Sequence, residues 1–592
     1  MTLILGLNAF HPDASACAVC DGRVVAAVAE ERLGLRRKHF AGFPTKALRR
    51  VLDMAGATLR DVDYVALGSD PNANLAAKAA RAAAHPLRTA RLALGHLARR
   101  TRLRSLHQHV AAACDAPPSD CRFKVIKVEH HLAHLASAFF ASPFNQAAGF
   151  SYDGAGDFAS AMYARCRGGR VEIIRRVLMP HSIGYFYTAL CQFIGFDRYG
   201  EEYKVMGLAA YGQPRYLDFM RELLGARPGG GYELSPQYFS VPYVGYEDCL
   251  DENGEVVMPP FYAQALARRL GPPRQREAEI SQRDKDLAAS CQRHFEDAAL
   301  ACVNWLHRQA PSENLVAAGG CALNGVCNAR LLRETPFRRS FLQPAASDDG
   351  TALGAALYVW NTVLGKPREA PMEHAFLGPG YSEREMEDAL RGSGFHYARL
   401  APEALLQAAV EHLAAGHVVG WYQGRSEWGP RALGNRSILA HPGWPEMKEL
   451  INAKVKRREP FRPFAPSILA EAVPEYFEQH IESPFMMHVV RIRPEKRQAL
   501  SAVCHADHTG RLHTVSRAQN PLYYDLIRAF AARTGVPALL NTSFNENEPI
   551  VDTPAQAVEC FLRTDLDALV LGDLVAVKPG KALPDAARRR GG

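Results

Sequence analysis

The sequence predicts an α/β protein whose N-terminal part is duplicated around a cleft and whose C-terminal part is a second α/β region. Three observations predict this. A strand–turn–strand–strand unit near the N-terminus has an echo about 145 residues later. Strands then alternate with helices through Gly-rich turns. A Pro/Gly-rich stretch, 366–384, separates this region from a further set of strands and helices.

The first unit reads "TLILGLN", then "ASACAVC", the turn "DGR" and "VVAAVAEE". Asp-Gly between two apolar runs marks a hairpin. The second copy reads "AAGFSYDGAG", "DFASAMYARC", the turn "RGGR" and "VEII", so that "DASACAVCDGRVV" from Asp13 matches "DFASAMYARCRGGRVEI" from Asp157. In such a fold the loop after the first strand of each half faces the cleft. These loops carry Asn8, His11 and Asp13 in one copy, and Asp153 and Asp157 in the other. Between the copies, "KVEHHLAHLASAFF" starts a helix on which His130 and His134, four apart, share one face.

A long helix is expected from Lys285. After it, "NLVAAGGCALN" runs as a strand into Gly319-Gly320, and a helix starts near Asn324; backbone N–H groups in such a turn can approach a phosphate or ribose. Cys321 in that turn reads as a small side chain or a nucleophile. "FLQPAASDDGTALGAALYVW" follows as strand, loop and helix. Asp348 and Asp349 stand at the helix start, where a carboxylate can cap the helix or ligate a metal. Beyond the Pro/Gly stretch, a Gly/Arg loop spans 424–437, "INAKVKRREPFRPFAPS" carries Lys456, Arg458 and Arg462, and "LLNTSFNENEPIV" ends a strand in a Thr/Ser/Asn loop at Ser543. Prolines 460 and 463 argue against a continuous basic helix. Lys, Arg and Ser donors converging on one site suit a polyphosphate or acyl phosphate. No GxxxxGK[ST] loop is present.

Size and composition bound the function. At 592 residues, two or three domains are expected. Apolar content of 47% with 22% charged residues is that of a soluble globular chain, and no apolar run is long enough to span a bilayer. The start carries no secretory signal, and thirteen unpaired-looking cysteines point to reduced thiols and a cytoplasmic protein. Cys17 and Cys20 form a CxxC, but on a strand they point to opposite faces, against a redox or zinc role. Net charge is +8, and Lys78, Arg81, Arg88, Arg91, Arg99, Arg100, Arg102 and Arg104 form a window free of acids. That window reads as a solvated helical insertion or as an anion-binding arm.

Two imidazoles at i, i+4 need further ligands for a metal site. Asp153 and Asp348 are the candidates, a donor set that suits iron(II), zinc or manganese; the alternative is a pair of core histidines. His11 and Asp13 are acid/base candidates in the first turn.

Together "EHHLAHLASAF", "YDGAGD", "GEEYKVMGLAAYG", "GGCALN", "SDDGTALGAA", "EWGPRALGNRSILA", "INAKVKRREPFRPFAPS" and "LNTSFNENEPIV" resemble the signatures of the NodU/CmcH-type O-carbamoyltransferases, in order and over nearly the whole chain. The resemblance implies a carbamoyl-transfer domain at 1–365 with a duplicated actin-like ATPase (RNase H-like) fold, similar to tRNA threonylcarbamoyl-transferases. It implies a linker at 366–384 and a YrdC-like domain at 385–592. ATP and carbamoyl phosphate, with Mg2+, would give carbamoyl-adenylate, whose carbamoyl group passes to a hydroxyl of a small natural product.

Carried over residue by residue, His130, His134, Asp153 and Asp348 would ligate Fe(II) or another divalent transition metal. Lys204, Gly319, Gly320 and Asn324 would bind the nucleotide. Arg431, Lys456, Arg462 and Ser543 would bind carbamoyl phosphate and ATP. His11 and Asp13 would be catalytic, although Pro12 interrupts the His-Asp adjacency common in the family. The expected partner is a hydroxyl-bearing small molecule, with no membrane and no nucleic acid, and a homodimer is left open. Acceptor-binding insertions are expected near 59–118 and 226–274. The competing reading is a tRNA-modifying, threonylcarbamoyl-type or RNA-bound protein on the same fold. A hydrogenase-maturation carbamoyltransferase would carry paired CxxC zinc motifs, which this sequence lacks.

Overall fold

The computed structural model describes residues 1–34, 36–86, 105–240, 256–581 and 583. The chain forms two compact units, Met1–Met372 and Glu373–Gly592. Of the stretch expected as a linker, Arg368 donates to carbonyls of Phe139 and Ser142 in the first unit. Gly378 and Tyr381 are bonded to Ser426 and Asp552 in the second.

The first unit holds two five-stranded sheets. One is built from β1 Leu3–Asn8, β2 Ser15–Cys20, β3 Arg23–Ala29, β4 Tyr64–Leu67 and β5 Lys124–Lys127, in the order β3-β2-β1-β4-β5. The other is built from β6 Gln146–Gly156, β7 Ala159–Arg167 and β8 Arg170–Leu178. A separate hairpin follows, β9 Leu224–Arg227 with β10 Gly231–Leu234. Then come β11 Asn314–Ala318 and β12 Arg339–Leu342, which complete the order β12-β11-β6-β7-β8. Read from its own first strand, each sheet has the same order, 3-2-1-4-5. In each, the first three strands are antiparallel and the last two run parallel to the first. The duplication and the α/β fold class expected from the hairpin echo are therefore present in the strand orders.

The two sheets exchange helices. Helix His130–Phe139 follows β5 of the first sheet but packs on β6, β7 and β11 of the second. Helix Gly350–Tyr358 follows β12 of the second sheet but packs on β1, β2 and β4 of the first, and on helix His130–Phe139. Small residues permit this. A Cβ on Gly354 would lie 1.8 Å from Ala133 O, and one on Gly6 would lie 2.0 Å from Ala352 O. All ten residues of helix His130–Phe139 are buried, so its histidines sit inside the unit rather than on its surface.

The second unit is a mixed sheet of nine described strands. These are β13 His396–Arg399, β14 Val419–Tyr422, β15 Arg436–Ala440, β16 Ala465–Leu469, β17 His488–Arg491, β18 Thr509–Val515, β19 Ala538–Ser543, β20 Ala568–Leu571 and β21 Leu574–Val577. Their order is β13-β21-β20-β14-β15-β19-β16-β18-β17. Helices Pro402–Ala414 and Pro521–Thr534 pack together over one face, around Trp421, Leu539 and Phe530. The helical turn Ile451–Val455 ends before the prolines at 460 and 463, so the basic segment continues as a loop. No helix among the described residues is long and apolar enough to cross a membrane.

Candidate active site

The turn after β1 is shaped by its own side chains. Asn8 Nδ2 donates to the carbonyls of Pro12 (2.9 Å) and Asp13 (3.0 Å). Asp13 adopts the left-handed conformation, with φ 61°. This geometry is uncommon for a non-glycine residue and is often met at functional sites. The turn is tied to the next segment by Phe10 N to Gly42 O and Ala14 N to Phe40 O.

Four side chains from three segments meet next to this turn. His130, His134, Asp153 and Asp348 each offer a ligand-type atom, and these atoms lie within 4.8 Å of one another. His134 Nε2 is 3.0 Å from His130 Nε2 and 3.1 Å from Asp153 Oδ2. Asp348 Oδ1 is 3.3 Å from His130 Nε2 and 3.5 Å from His134 Nε2. His11 Nδ1 lies 2.6 Å from the other oxygen of Asp348. The two aspartates at the start of helix Gly350–Tyr358 divide the tasks foreseen for them. Asp349 caps the helix through Gly350 N, and Asp348 turns to the histidines.

Burial works against a charged His130, but Asp348 and Asp153 outweigh it and hold the ring at about 10. Burial also opposes ionised Asp153, yet the histidines hold it at about 2. Burial and the neighbouring rings push His131 down to about 3. A neutral His131 donates Nε2–H to Ala159 O at 3.0 Å and accepts from Ser151 Oγ at 2.6 Å, which makes it a core residue. Two imidazole nitrogens and two carboxylates converging on one point form a donor set that fits a divalent transition ion. The backbone supports the first turn of the helix, where His130 N donates to Asp157 Oδ2 at 2.9 Å. Asp157 also accepts from Ser69 Oγ and Asp70 N.

The glycine turn adjoins this centre. Gly319, with φ 98°, must be glycine, because a Cβ would lie 2.2 Å from Tyr152 O. A Cβ on Gly320 would lie 3.0 Å from Asp153 Oδ1. Asn324 caps helix Gly325–Glu334 through Cys327 N and pairs with Gln292. Lys204 is buried with Nζ 2.8 Å from Glu201 Oε1, and Glu201, also bound by Arg276, is held down at about 2 despite its burial. Burial, then Asp153 and Glu202, drive the Cys321 thiol well above its usual value. Only a thiolate is nucleophilic, so these surroundings work against Cys321 as a nucleophile. Cys17 is likewise pushed up to about 12 by burial.

In the second unit the expected anion-site residues fall into two groups. Lys456 is buried, and its Nζ donates to Ser543 O (2.5 Å), Asn545 O (2.7 Å) and Asn545 Oδ1 (2.6 Å), with Ser543 Oγ at 3.4 Å. It thereby fixes the loop after β19. The other group gathers four arginines, of which Arg462 also lies 3.5 Å from Glu459 Oε2. Burial, then Arg431, Arg458 and Arg462, drive Arg511 on β18 well below the usual arginine value. Arg511 has no carboxylate within ion-pair reach among the described residues.

The comparisons bear on the whole chain. The model described as carbamoyltransferase N-terminus matches residues 3–357, and that described as carbamoyltransferase C-terminus matches 410–578. The chain is 40% identical over 592 residues to the nodulation protein NolNO of Sinorhizobium fredii, covering 98% of this chain and 80% of that protein. The chain belongs to the carbamoyltransferase family. It is 34% identical over 260 residues to the 3'-hydroxymethylcephem-O-carbamoyltransferase of Amycolatopsis lactamdurans, covering 44% of this chain and 48% of that one. Among solved structures it is similar to T. kodakarensis HypF, with 12% identity, a TM-score of 0.30 and coverage of 62% of this chain and 48% of that one.

The expectation of a carbamoyltransferase enzyme is thus met. Three residues of this carbamoyltransferase's clusters were not singled out from the sequence. Arg511 stands alone in "HTGRLHT", and His39, which bonds Asp13, ends a basic run that reads as solvated surface. Ser347, which donates to Asp13 Oδ2 at 2.7 Å, had as its only signal the adjacent Asp pair. Of the basic window, Lys78 and Arg81 lie on helix Leu75–Ala84, which has no buried residue. Arg88, Arg91, Arg99, Arg100, Arg102 and Arg104 lie outside the described residues, as do 241–255 of the second expected insertion.

Proposed function

We propose that this carbamoyltransferase forms carbamoyl-adenylate from ATP and carbamoyl phosphate and passes the carbamoyl group to a hydroxyl of a small natural product. The observation that carries the reading is the convergence of His130, His134, Asp153 and Asp348 beside the His11–Asp13 turn, in a chain of this family. These four residues would hold a divalent transition ion, Fe(II) in the first instance. Bound there, the ion supplies Lewis acidity towards a carbamoyl or phosphate oxygen.

The chain's own residues account for the other tasks. His11 orients Asp348 through the 2.6 Å contact. Asp13 accepts the proton of the acceptor hydroxyl as its oxygen bonds the carbamoyl carbon, and the bond from that carbon to the adenylate oxygen breaks, with the electron pair leaving on AMP. Gly319, Gly320 and Asn324, with Lys204, form the nucleotide side; the close approach at Gly319 and the cap at Asn324 keep that turn in place. Activation belongs to the second unit. There Arg431, Arg462 and Arg511 would receive phosphates, and Lys456 and Ser543 would shape the adjoining loop. ATP enters with Mg2+. Water first takes the phosphoryl group of carbamoyl phosphate as its O–P bond breaks, releasing inorganic phosphate and carbamate; a carbamate oxygen then bonds the α-phosphorus of ATP as the bond to the β-phosphate oxygen breaks and pyrophosphate leaves. An adenylate of this kind needs protection from water until transfer.

The test is incubation of the enzyme with Fe(II), Mg-ATP, isotopically labelled carbamoyl phosphate and a metabolite extract, followed by mass spectrometry. Label in a hydroxyl compound, dependent on ATP, is the expected result. Label in tRNA, or ATP-independent transfer, would overturn the reading.

A further inference from the structure

Asp13 is clamped from two sides. Its Oδ1 lies 2.7 Å from His39 Nδ1, and its Oδ2 accepts from Ser347 Oγ at 2.7 Å. A carboxylate only accepts, so Nδ1 of His39 carries the proton in this pair. Each carboxylate oxygen then keeps a lone pair for a further partner.

His39 is itself held from several directions. Its backbone N–H donates to Glu31 Oε2 at 2.9 Å. The following residues, Phe40 and Gly42, bond the backbone of Ala14 and Phe10 on either side of Asp13. The ring lies edge-on to Tyr199, with centroids 5.0 Å apart. A Cβ at Gly200 would come within 2.1 Å of His39 Nε2. Gly200 has φ 80°, so the chain there needs glycine both for its backbone and for the space that the imidazole fills. One imidazole therefore touches the Asp13 turn on one side and the segment leading into helix Glu202–Leu208, which carries Lys204, on the other.

We propose that His39 is a positioning residue that orients the Asp13 base and fixes it against the Tyr199–Glu202 segment. The inference rests on the reading above for the role of Asp13, and the His39–Asp13 pair stands on its own geometry. The charged and titratable groups that face the ring are Asp13, Glu31 and Lys38 from the N-terminal half, and Tyr199 and Glu202 from the other segment. Burial works against a charged ring, but Asp13, then Glu31, outweigh it and raise His39 to about 9. A protonated His39 gives Asp13 a charge-assisted bond that holds its carboxylate in one orientation.

Two measurements test this. The first compares His39→Ala, His39→Asn and wild type in carbamoyl transfer and in carbamoyl-phosphate-dependent ATP–pyrophosphate exchange. Loss of a hydrogen bond to a charged group should lower kcat for transfer roughly 10–100-fold. Exchange and the KM for carbamoyl phosphate should stay as in wild type. His39→Asn, whose amide N–H can replace Nδ1–H, should recover most of the loss. Unchanged kcat in His39→Ala, or His39→Asn no better than His39→Ala, would overturn the proposal.

The second is an NMR titration of the full chain with labelled histidine, which needs no turnover. The His39 ring should stay protonated towards pH 9 and fall back towards about 6.5, the ordinary histidine value, in Asp13→Asn. Titration of wild-type His39 near the ordinary value would overturn the proposal. A wild-type enzyme that carbamoylates nothing would defeat the functional reading, while the titration would still decide the pair.

Discussion

In the first unit, His130 and His134 face Asp153 and Asp348, and His11 backs the second of these carboxylates. In the second unit, Arg511 faces Arg431, Arg458 and Arg462. The first cluster is largely withdrawn from water and sets two histidines against two acids, whereas the second is half-buried and sets four arginines together with Glu459 beside Arg462. Opposite charges at 3–4 Å neutralise one another, so the first cluster is self-consistent before anything binds. In the second, Arg462 also pairs with Glu459, and the three arginines around Arg511 oppose its charge, an opposition that a bound anion reduces. The first arrangement suits a resident cation with hydrogen-bonding neighbours. The second suits a polyanion that comes and goes.

The sharpest way to break this comparison is to separate the two activities by mutation. His134→Ala or Asp153→Asn should reduce carbamoyl transfer by at least about 100-fold, the scale of losing a metal-site support. Exchange between ATP and pyrophosphate should persist. Arg462→Ala or Arg511→Ala should do the reverse and abolish exchange. Equal loss of both activities in either pair, at unchanged circular dichroism, would mean that the two clusters share one task.

A smaller effect concerns pH. A metal needs the neutral form of His130, which the carboxylates hold protonated up to about 10 without one. Binding therefore displaces a proton, and affinity should rise about tenfold per pH unit between pH 6 and 9. Calorimetry in buffers of different ionisation enthalpy would count that proton, and a flat profile would remove His130 from the ligand set. The sign for folding is opposite. A group raised in the folded state stabilises it fully below its unfolded value near 6.5, and that contribution fades as pH climbs towards 10.

The smallest effect is on stability. Arg511→Met removes one of four like charges and keeps an apolar stem of similar length. Without added phosphate it should raise the melting temperature of the second unit by roughly 2–4 °C, the shift expected from about 1 kcal/mol in a domain of this size. Added inorganic phosphate should stabilise the variant less than wild type. A lower melting temperature in the variant would show that Arg511 is held by attraction and not against repulsion.

How much of this was legible in the sequence differs between the clusters for a physical reason. The duplicated fold could be read because each copy keeps the same local hairpin, in "DASACAVCDGRVV" and "DFASAMYARCRGGRVEI". His130 and His134 could be read because helical spacing is local. Asp153 and Asp348 stood in short acidic loops at strand ends, where cleft residues are expected. Arg511 had no local signal. It joins the other arginines through the pairing of β16 with β18, a contact between residues more than forty apart. His39 was hidden for the same reason, since its partner lies across a hairpin, 26 residues earlier. Its own neighbours, "LRRK", describe a solvated face and not a clamp.

The crossed helices of the first unit have a consequence for its handling. Helix His130–Phe139 completes the sheet that follows it, and helix Gly350–Tyr358 completes the sheet that precedes it. Either half expressed as a fragment would leave an apolar face uncovered and would lack two of the four clustered side chains. The His130, His134, Asp153 and Asp348 cluster therefore forms only when both halves of the unit are present.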